Sequence, residues 1–173
     1  GLIGGMSWES TSLYYSLINQ GINSSLKNNH SARCVLYSFD FQEIEDLQYA
    51  GRWDILHDKI IDAGRILKSA GAEEIVLCTN TMHKVVADFD SEVGIPLIHI
   101  ADAVGQAITD SGIKRVGLLG TIFTMEQDFY KSILIGKYKL DVLIPNKEDR
   151  AVINSIIYDE LVKGIAKEVS RES

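Results

Sequence analysis

The stretch that decides the fold is Glu74-Ile75-Val76-Leu77-Cys78-Thr79-Asn80-Thr81-Met82-His83. A short apolar run leads into a cysteine and three small polar residues, which predicts a buried strand that ends where a helix begins, at about Thr81. A strand that needed only packing would not end in a thiol among hydrogen-bonding groups. We therefore interpret Cys78 as the reactive centre, and a buried structural thiol is the alternative.

Strands and helices alternate on both sides of this stretch. Further apolar segments predict strands at residues 1–6, 33–39, 95–100, 114–120 and 140–144. A helix capped by Ser7 follows the first strand, and a long amphipathic helix ends at Gly71. Later helices are predicted over residues 101–109 and 124–134, and a long helix or a pair of helices over residues 147–169. This alternation predicts an α/β fold with parallel strands covered by helices on both faces.

An internal similarity suggests that the fold is built twice. Residues 1–4, Gly-Leu-Ile-Gly, are matched by residues 117–120, Gly-Leu-Leu-Gly, and a polar loop and a helix are predicted after each. We predict two similar lobes, residues 1–98 with Cys78 and residues 99–173. The spacing from Gly4 to Cys78, applied from Gly120, reaches about position 194. The second lobe is therefore expected to be incomplete at its C-terminus, as part of a longer chain.

Composition narrows the function classes. The chain has 173 residues, of which 46% are hydrophobic and 24% charged, and its net charge is -7. Nucleic-acid binding is disfavoured because no basic cluster is present to face phosphates. No apolar run approaches the roughly 20 residues that span a bilayer, and no basic segment of a signal peptide precedes one. A cytoplasmic protein without a membrane partner is expected.

The cysteines and histidines do not follow a metal-binding or disulfide pattern. Cys34 and Cys78 are far apart in sequence, so free thiols are expected, and Cys34 is interpreted as a packing residue in the middle of a strand. The four histidines, at positions 30, 57, 83 and 99, show no metal-ligand spacing. A nucleophilic pair of Cys78 with His83 is a disfavoured alternative, because five residues separate them on a predicted helix.

The candidate reactive and ligand-binding residues lie in the predicted loops at the carboxyl ends of the strands. Ligands of open α/β sheets bind at this edge, where residues 5–7, 78–81 and 121–124 are expected. A helix N-terminus after Cys78 would lower the pKa of the thiol and favour a base or nucleophile. Thr79, Asn80 and Thr81 add hydrogen-bond donors that suit a carboxylate. The expected ligand is a small acid.

Three motifs together resemble the aspartate/glutamate racemase family, most closely its broad-specificity amino-acid racemase branch. They are residues 4–11 (Gly-Gly-Met-Ser-Trp-Glu-Ser-Thr), residues 78–83 (Cys-Thr-Asn-Thr-Met-His), and residues 119–121 with 124–130. The resemblance implies two similar lobes with the active site in the cleft between them. It also implies racemisation of a small amino acid without pyridoxal phosphate or a metal. Homodimers are common in the family, so a homodimer is an assembly that the resemblance suggests.

The resemblance also implies roles for individual residues. Cys78 would be one of two cysteines that face opposite sides of the substrate α-carbon. Thr79, Asn80 and Thr81 would bind the substrate α-carboxylate. The other implied substrate-binding positions are Met6, Ser7, Gln48, Thr121 and Lys163. For Gln48 and Lys163 a solvated helix face is an equal alternative.

The second cysteine of the family's pattern is not found within the 173 residues. Cys34 does not replace it, because it falls in a strand of the first lobe. We expect the second cysteine to lie outside these residues. Two alternatives stay open at this point: a non-catalytic protein that binds small carboxylates, and a one-cysteine decarboxylase, isomerase or hydrolase.

Overall fold

A computed structural model describes residues 1–172. Its strands are β1 (Leu2–Gly4), β2 (Leu36–Ser38), β3 (Ile75–Leu77), β4 (Leu97–Ile98), β5 (Arg115–Gly117) and β6 (Asp141–Leu143). Its α-helices are α1 (Trp8–Leu26), α2 (Phe41–Tyr49), α3 (Trp53–Ser69), α4 (Phe89–Val93), α5 (Ile100–Asp110), α6 (Ile122–Glu126), α7 (Asp128–Gly136), α8 (Lys147–Asp159) and α9 (Glu168–Glu172). Two 3-10 turns cover Thr81–Val85 and Leu161–Lys163.

The strands form two parallel sheets, which confirms the predicted α/β fold. The first sheet has the order β2-β1-β3-β4, and the second pairs β5 with β6. β1 lies between β2 and β3 and is parallel to both, with Ile3 opposite Tyr37 on one side and Leu77 on the other. Parallel neighbours require a crossover connection, and helices provide it here. The carboxyl ends of β1 and β3 therefore lie at the same edge of the first sheet.

Contacts divide the chain into two compact units. The first consists of Gly1–Thr79 together with Val85–Leu97. The second consists of Asn80–Lys84 and the described residues from Ile98 onward. The boundary between residues 98 and 99 stays a prediction. The assignment of Asn80–Lys84 to the second unit is a feature that the sequence did not indicate.

The first unit has a core of aliphatic side chains from β1, β3 and α3. Its fully buried residues include Ile3, Leu56, Ile60, Leu67, Ile75 and Leu77. Gly64 of α3 leaves room for the ring of Phe89, because a β-carbon at this position would collide with it. Ile60 and Leu67 lie on the buried face of this amphipathic helix, whereas Ile66 is 50% exposed.

The second unit has its own apolar cluster. Ala101, Tyr130, Leu134 and Leu140 are buried there, and they come from α5, α7 and the residue before β6. Gly105 of α5 lies against the ring of Tyr138 at a distance that leaves no space for a β-carbon. Separate cores are consistent with the two lobes that the internal similarity predicted.

The longest described helix, α1, is only partly covered. Ser7 caps its N-terminus as predicted, and Thr11 is its buried residue. Leu13 and Leu17 of this helix are 58% and 56% exposed. Among residues 1–172, neither α1 nor any other helix has the length and apolar character needed to cross a bilayer.

Several predicted elements differ from the structure. Cys34 precedes β2 rather than lying inside it and is half-buried. The sequence analysis missed α2, whose N-terminus is capped by Asp40. The predicted helix at 124–134 is divided into α6 and α7, because Gln127 adopts an extended conformation. The predicted helix at 147–169 ends at Asp159 and is followed by a 3-10 turn that stops at Gly164, whose φ is 70°.

Candidate active site

Cys78 lies directly after β3, at the carboxyl edge of the first sheet. Its backbone N–H donates to the Ile3 carbonyl oxygen of β1 at 2.8 Å. The hydroxyl of Ser10, in the first turn of α1, donates to the Cys78 carbonyl oxygen at 3.1 Å. The cysteine is completely buried. These hydrogen bonds bring Cys78 together with the loop after β1, as the parallel strand order requires.

The loop from Gly5 to Ser7 is held by a side chain of α1. The Gly5 N–H donates to Thr11 Oγ1 at 2.9 Å, and this hydroxyl donates to the Ser7 carbonyl oxygen at 2.8 Å. Gly5 has a φ of 87°, and a β-carbon there would collide with the backbone of Phe39. Met6 and Ser7 are buried. The predicted cap role of Ser7 is confirmed, while its role and that of Met6 in substrate binding stay predictions.

The electrostatic environment of Cys78 differs from the expected one. Burial raises the pKa of its thiol to about 12, against a smaller opposite effect of the N-terminal ammonium group. The sulfur lies 4.0 Å from the Val76 carbonyl oxygen. The five-residue 3-10 turn that follows begins only at Thr81. The predicted lowering of the thiol pKa is therefore wrong, because desolvation of a buried thiolate outweighs so short a turn.

Gln48 and Lys163 have different environments. Gln48 is buried on α2, at 4% exposure, so the alternative of a solvated helix face is wrong for this residue. Lys163 is exposed at the end of the second 3-10 turn, where its backbone N–H donates to the Glu160 carbonyl oxygen at 2.9 Å. A substrate-facing role stays a prediction for both.

In the second unit, three threonine hydroxyls form a chain of hydrogen bonds. Thr81 Oγ1 lies 2.9 Å from Thr121 Oγ1, which lies 3.2 Å from Thr124 Oγ1. Thr121 caps α6, and Thr81 and Thr124 are buried. The structure thus brings together Thr81 and Thr121, two predicted substrate-binding residues. Thr124 was missed as a support, although a threonine three residues after a capping threonine is a recognisable signal.

The cap of α6 is also held from α8. The Ile122 N–H donates to Asn154 Oδ1 at 2.9 Å. Asn154 was not identified from the sequence, because 32 residues separate the two partners and no local pattern joins them. It fixes the position of the helix that presents Thr121.

The side chains of two histidines accept hydrogen bonds from the first backbone N–H groups of α5. His83 Nε2 accepts a hydrogen bond from the Ile100 N–H, and His99 Nδ1 accepts one from the Ala101 N–H, each at 3.2 Å. The two rings meet edge to face, with centroids 4.4 Å apart. His83 is buried, and burial also lowers the pKa of His99 below its ordinary value. The interpretation of His99 as a scattered surface or packing residue missed its role as a cap.

Among residues 1–172, histidine, cysteine and acidic side chains do not assemble in groups of three that could hold a metal ion. The candidate site residues are instead a thiol, hydroxyls, amides and an exposed lysine. Hydroxyls and amides can donate hydrogen bonds to a carboxylate. A thiol can exchange a proton with a carbon acid.

Comparison with known proteins agrees with the resemblance seen in the motifs. The family model described as Asp/Glu/Hydantoin racemase matches residues 3–173. A candidate Asp/Glu racemase from Yersinia pestis is 52% identical, with a TM-score of 0.89 over 99% of this chain and 75% of that one. An aspartate racemase homologue from Pyrococcus horikoshii OT3 is 37% identical, with a TM-score of 0.73 over 95% and 72%.

A third solved structure, an aspartate racemase from Picrophilus torridus, is similar in fold. Its TM-score is 0.76 over 99% of this chain and 71% of that one, but the sequence identity of 21% extends the likeness to the fold alone. The family match nevertheless covers nearly all of the sequence. The chain therefore belongs to the Asp/Glu/hydantoin racemase family.

Proposed function

We propose that this protein is a cofactor-independent amino-acid racemase in which Cys78 exchanges a proton with one face of the substrate α-carbon. The chain belongs to the Asp/Glu/hydantoin racemase family, which supports an amino-acid racemase. The observation that carries the proposal is the position of Cys78, buried at the carboxyl edge of β3 beside the Gly5–Ser7 loop. In parallel α/β sheets this edge is where ligands bind.

The carboxylate of the substrate would bind donors that follow Cys78 in sequence. Thr79, Asn80 and Thr81 supply hydroxyl and amide groups, and Thr81 is held by Thr121. Such donors would stabilise the negative charge that spreads into the carboxylate when the α-proton leaves. Gln48 and Lys163 are proposed to contact other polar groups of the substrate. An aspartate- or glutamate-like substrate, or a broad range of amino acids, would fit this chemistry.

The raised pKa of Cys78 supports a proposal for its starting role. Two-base racemisation begins with one group protonated and the other deprotonated, and a thiol with a pKa of about 12 is the protonated partner. The second group removes the α-proton from one face. Cys78 then forms the new C–H bond on the opposite face as its S–H bond breaks, which leaves a thiolate. In the reverse direction, the ammonium group of the substrate would favour this thiolate by Coulombic attraction.

A second acid/base group is needed for this cycle. Cys34 does not fit, because it precedes β2 rather than following the carboxyl end of a strand. We propose that a second thiol from outside the 173 residues completes the site. Aspartate and glutamate are the first substrates to examine.

The test uses the complete natural protein with single-enantiomer amino acids in deuterium oxide. Optical rotation and α-proton exchange should change together for at least one amino acid. Cys78→Ala should abolish exchange from one enantiomer, and Cys34→Ala is the matched thiol control. The absence of both signals for every common amino acid would exclude racemisation, and undiminished turnover by Cys78→Ala would exclude Cys78.

A second candidate function is non-catalytic binding of small carboxylates. The observation that favours it is the buried thiol with its high pKa, which stays protonated at neutral pH and therefore cannot remove a proton until a substrate changes its environment. Thermal stabilisation by aspartate or glutamate, without isotope exchange at the α-carbon, would support this function. Exchange at the α-carbon would exclude it.

A further inference from the structure

We propose that His83 is a positioning residue. It attaches the turn that carries Asn80 and Thr81 to the N-terminus of α5. The proposal deepens the proposed function and rests on it, since that function assigns this turn to the substrate carboxylate. His83 would act through the hydrogen bond between its Nε2 atom and the Ile100 N–H. It would not itself exchange a proton with the substrate.

His83 connects two segments through two different groups. Its backbone N–H donates to the Asn80 carbonyl oxygen at 3.1 Å, which closes the turn. Its ring reaches α5, where Nε2 accepts from Ile100 at 3.2 Å. The side chain is 3% exposed, so water does not compete freely for this contact. A displacement of the ring would therefore move the turn that contains Thr81.

The hydrogen bond also completes the N-terminus of α5. The first N–H groups of a helix have no partners within the helix. Here the Ile100 N–H is satisfied by His83 and the Ala101 N–H by the His99 ring. The next two N–H groups, of Asp102 and Ala103, donate to the His99 carbonyl oxygen at 3.0 and 3.3 Å. Loss of His83 would leave a donor at this helix end without its acceptor.

The acceptor role defines what can replace the histidine. A backbone N–H can only donate, so Nε2 of His83 carries no proton in this contact. A glutamine side chain at this position offers an oxygen acceptor on a chain of similar length, whereas leucine has similar bulk and no acceptor. The exposed His30 provides a matched histidine outside the contact.

The hydrogen bond between His83 and Ile100 can also be removed by changing its donor. Ile100 is the first residue of α5, and proline is well tolerated at this helix position. The preceding residue, His99, already has extended dihedral angles of -75° and 124°, which suit a residue before proline. Ile100→Pro therefore removes the donor and leaves His83 in place.

The experiment compares His83→Gln, His83→Leu, Ile100→Pro and the control His30→Leu in the complete protein. Amide hydrogen exchange should accelerate about tenfold over residues 81–85 in His83→Leu and Ile100→Pro, and at Ile100 in His83→Leu. His83→Gln and His30→Leu should stay within about threefold of the wild type. Unchanged protection in both disruptive variants, each shown to be folded, would overturn the proposal.

Racemisation kinetics separate positioning from simple helix capping. His83→Leu and Ile100→Pro should each raise KM about tenfold for both enantiomers, with a smaller change in kcat, and the double variant should be no worse than either. Faster exchange with unchanged KM and kcat would reduce His83 to a helix cap and overturn the positioning role. A wild-type protein without racemase activity would overturn the proposed function, while the exchange results would still decide whether His83 holds the turn.

Discussion

At the scale of single residues, Cys78 shows which of two opposing effects dominates. A helix N-terminus stabilises a nearby anion by about 0.3 to 1 kcal/mol. Burial raises the pKa of this thiol from 9.0 to about 12, and a change of one pKa unit corresponds to about 1.4 kcal/mol. Desolvation is therefore the larger effect. The resting form of Cys78 is a thiol rather than the thiolate that the sequence predicted.

This conclusion predicts the titration of the two cysteines. Thiolate absorbance in the ultraviolet, followed with rising pH, should show no contribution from Cys78 up to about pH 10, because its pKa is about 12. The contribution is obtained by comparing wild-type protein with Cys78→Ala, and Cys34→Ala serves as the control. A Cys78 thiolate that forms near the ordinary thiol pKa of about 8.5 would contradict the prediction.

Gly5 is a second residue whose identity has a local physical reason. Its φ is 87°, and a β-carbon would collide with the carbonyl oxygen and nitrogen of Phe39. We predict that Gly5→Ala lowers the free energy of unfolding by about 3 kcal/mol or more, from strain and collision together. Chemical denaturation measures the change.

Gly51→Ala provides the matched control for this prediction. Gly51 also has a positive φ, 68°, but apart from Gly51 itself and its two neighbours in sequence, no residue of the described chain has a heavy atom within 4 Å of the position of an added β-carbon. Gly51→Ala should therefore lower the free energy of unfolding by only about 1 kcal/mol, from backbone strain alone. Equal decreases in the free energy of unfolding for Gly5→Ala and Gly51→Ala would contradict the prediction. They would show that the structure relieves the collision with Phe39 at little energetic cost.

At the scale of elements, His57 joins α3 to the last residue of the first 3-10 turn and to α4. Its Nδ1 atom lies 2.8 Å from the Val85 carbonyl oxygen, and Nε2 lies 2.9 Å from Glu92 Oε1. The hydrogen bond to Val85 raises the pKa of His57, and the negative charges of Glu92 and Asp58 raise it further, against the opposing effect of burial. Arg65 lies at the edge of this cluster, 4.0 Å from Glu92.

The raised pKa of His57 determines how the stability of the fold changes with pH. The folded state binds the His57 proton more tightly than the unfolded state, so the contribution is fully present below pH 6.5, the ordinary value. It is lost as the pH rises through the pKa of the folded state. We predict that the stability advantage of wild-type protein over His57→Gln decreases as the pH rises above 6.5, with a size of about 1 kcal/mol or less. Urea unfolding across this range measures it.

The exposed histidine His30 is the control for this prediction. His30→Gln replaces an exposed histidine and leaves the contacts of His57 in place. A pH-independent difference between wild type and His57→Gln would mean that His57 acts through packing alone. In that case, the contacts of His57 with Val85 and Glu92 would stabilise the fold without a positive charge on the imidazole ring.

At the scale of the whole molecule, the net charge of -7 and the pI of about 5.0 predict where a chain of these 173 residues is least soluble. Repulsion between like-charged molecules weakens as the net charge approaches zero. Turbidity should therefore be highest near pH 5 and low at pH 7 to 8. Added salt should increase turbidity at pH 7 by screening the charge, and a solubility minimum far from pH 5 would contradict this expectation.

Much of the architecture followed from sequence pattern because short-range rules determine it. The apolar runs ending in Gly4 and Leu77 became strands, and Ser7 capped the first helix. The division at Gln127 and the 3-10 turn after Cys78 were missed, because neither contains a proline or a glycine that marks a break. Such irregularities depend on what each segment packs against, so local propensity does not reveal them.

The sequence by itself determined the α/β class, the family and the place of Cys78 at the end of a strand, because periodicity and contiguous motifs carry this information. Only the tertiary structure decided the protonation of Cys78, since the pKa depends on burial by residues distant in the chain. It alone brought Thr81 to Thr121 and His83 to Ile100, over separations of 40 and 17 residues. Hydrogen bonds between side chains and distant partners depend on folded distances, and no local pattern encodes them.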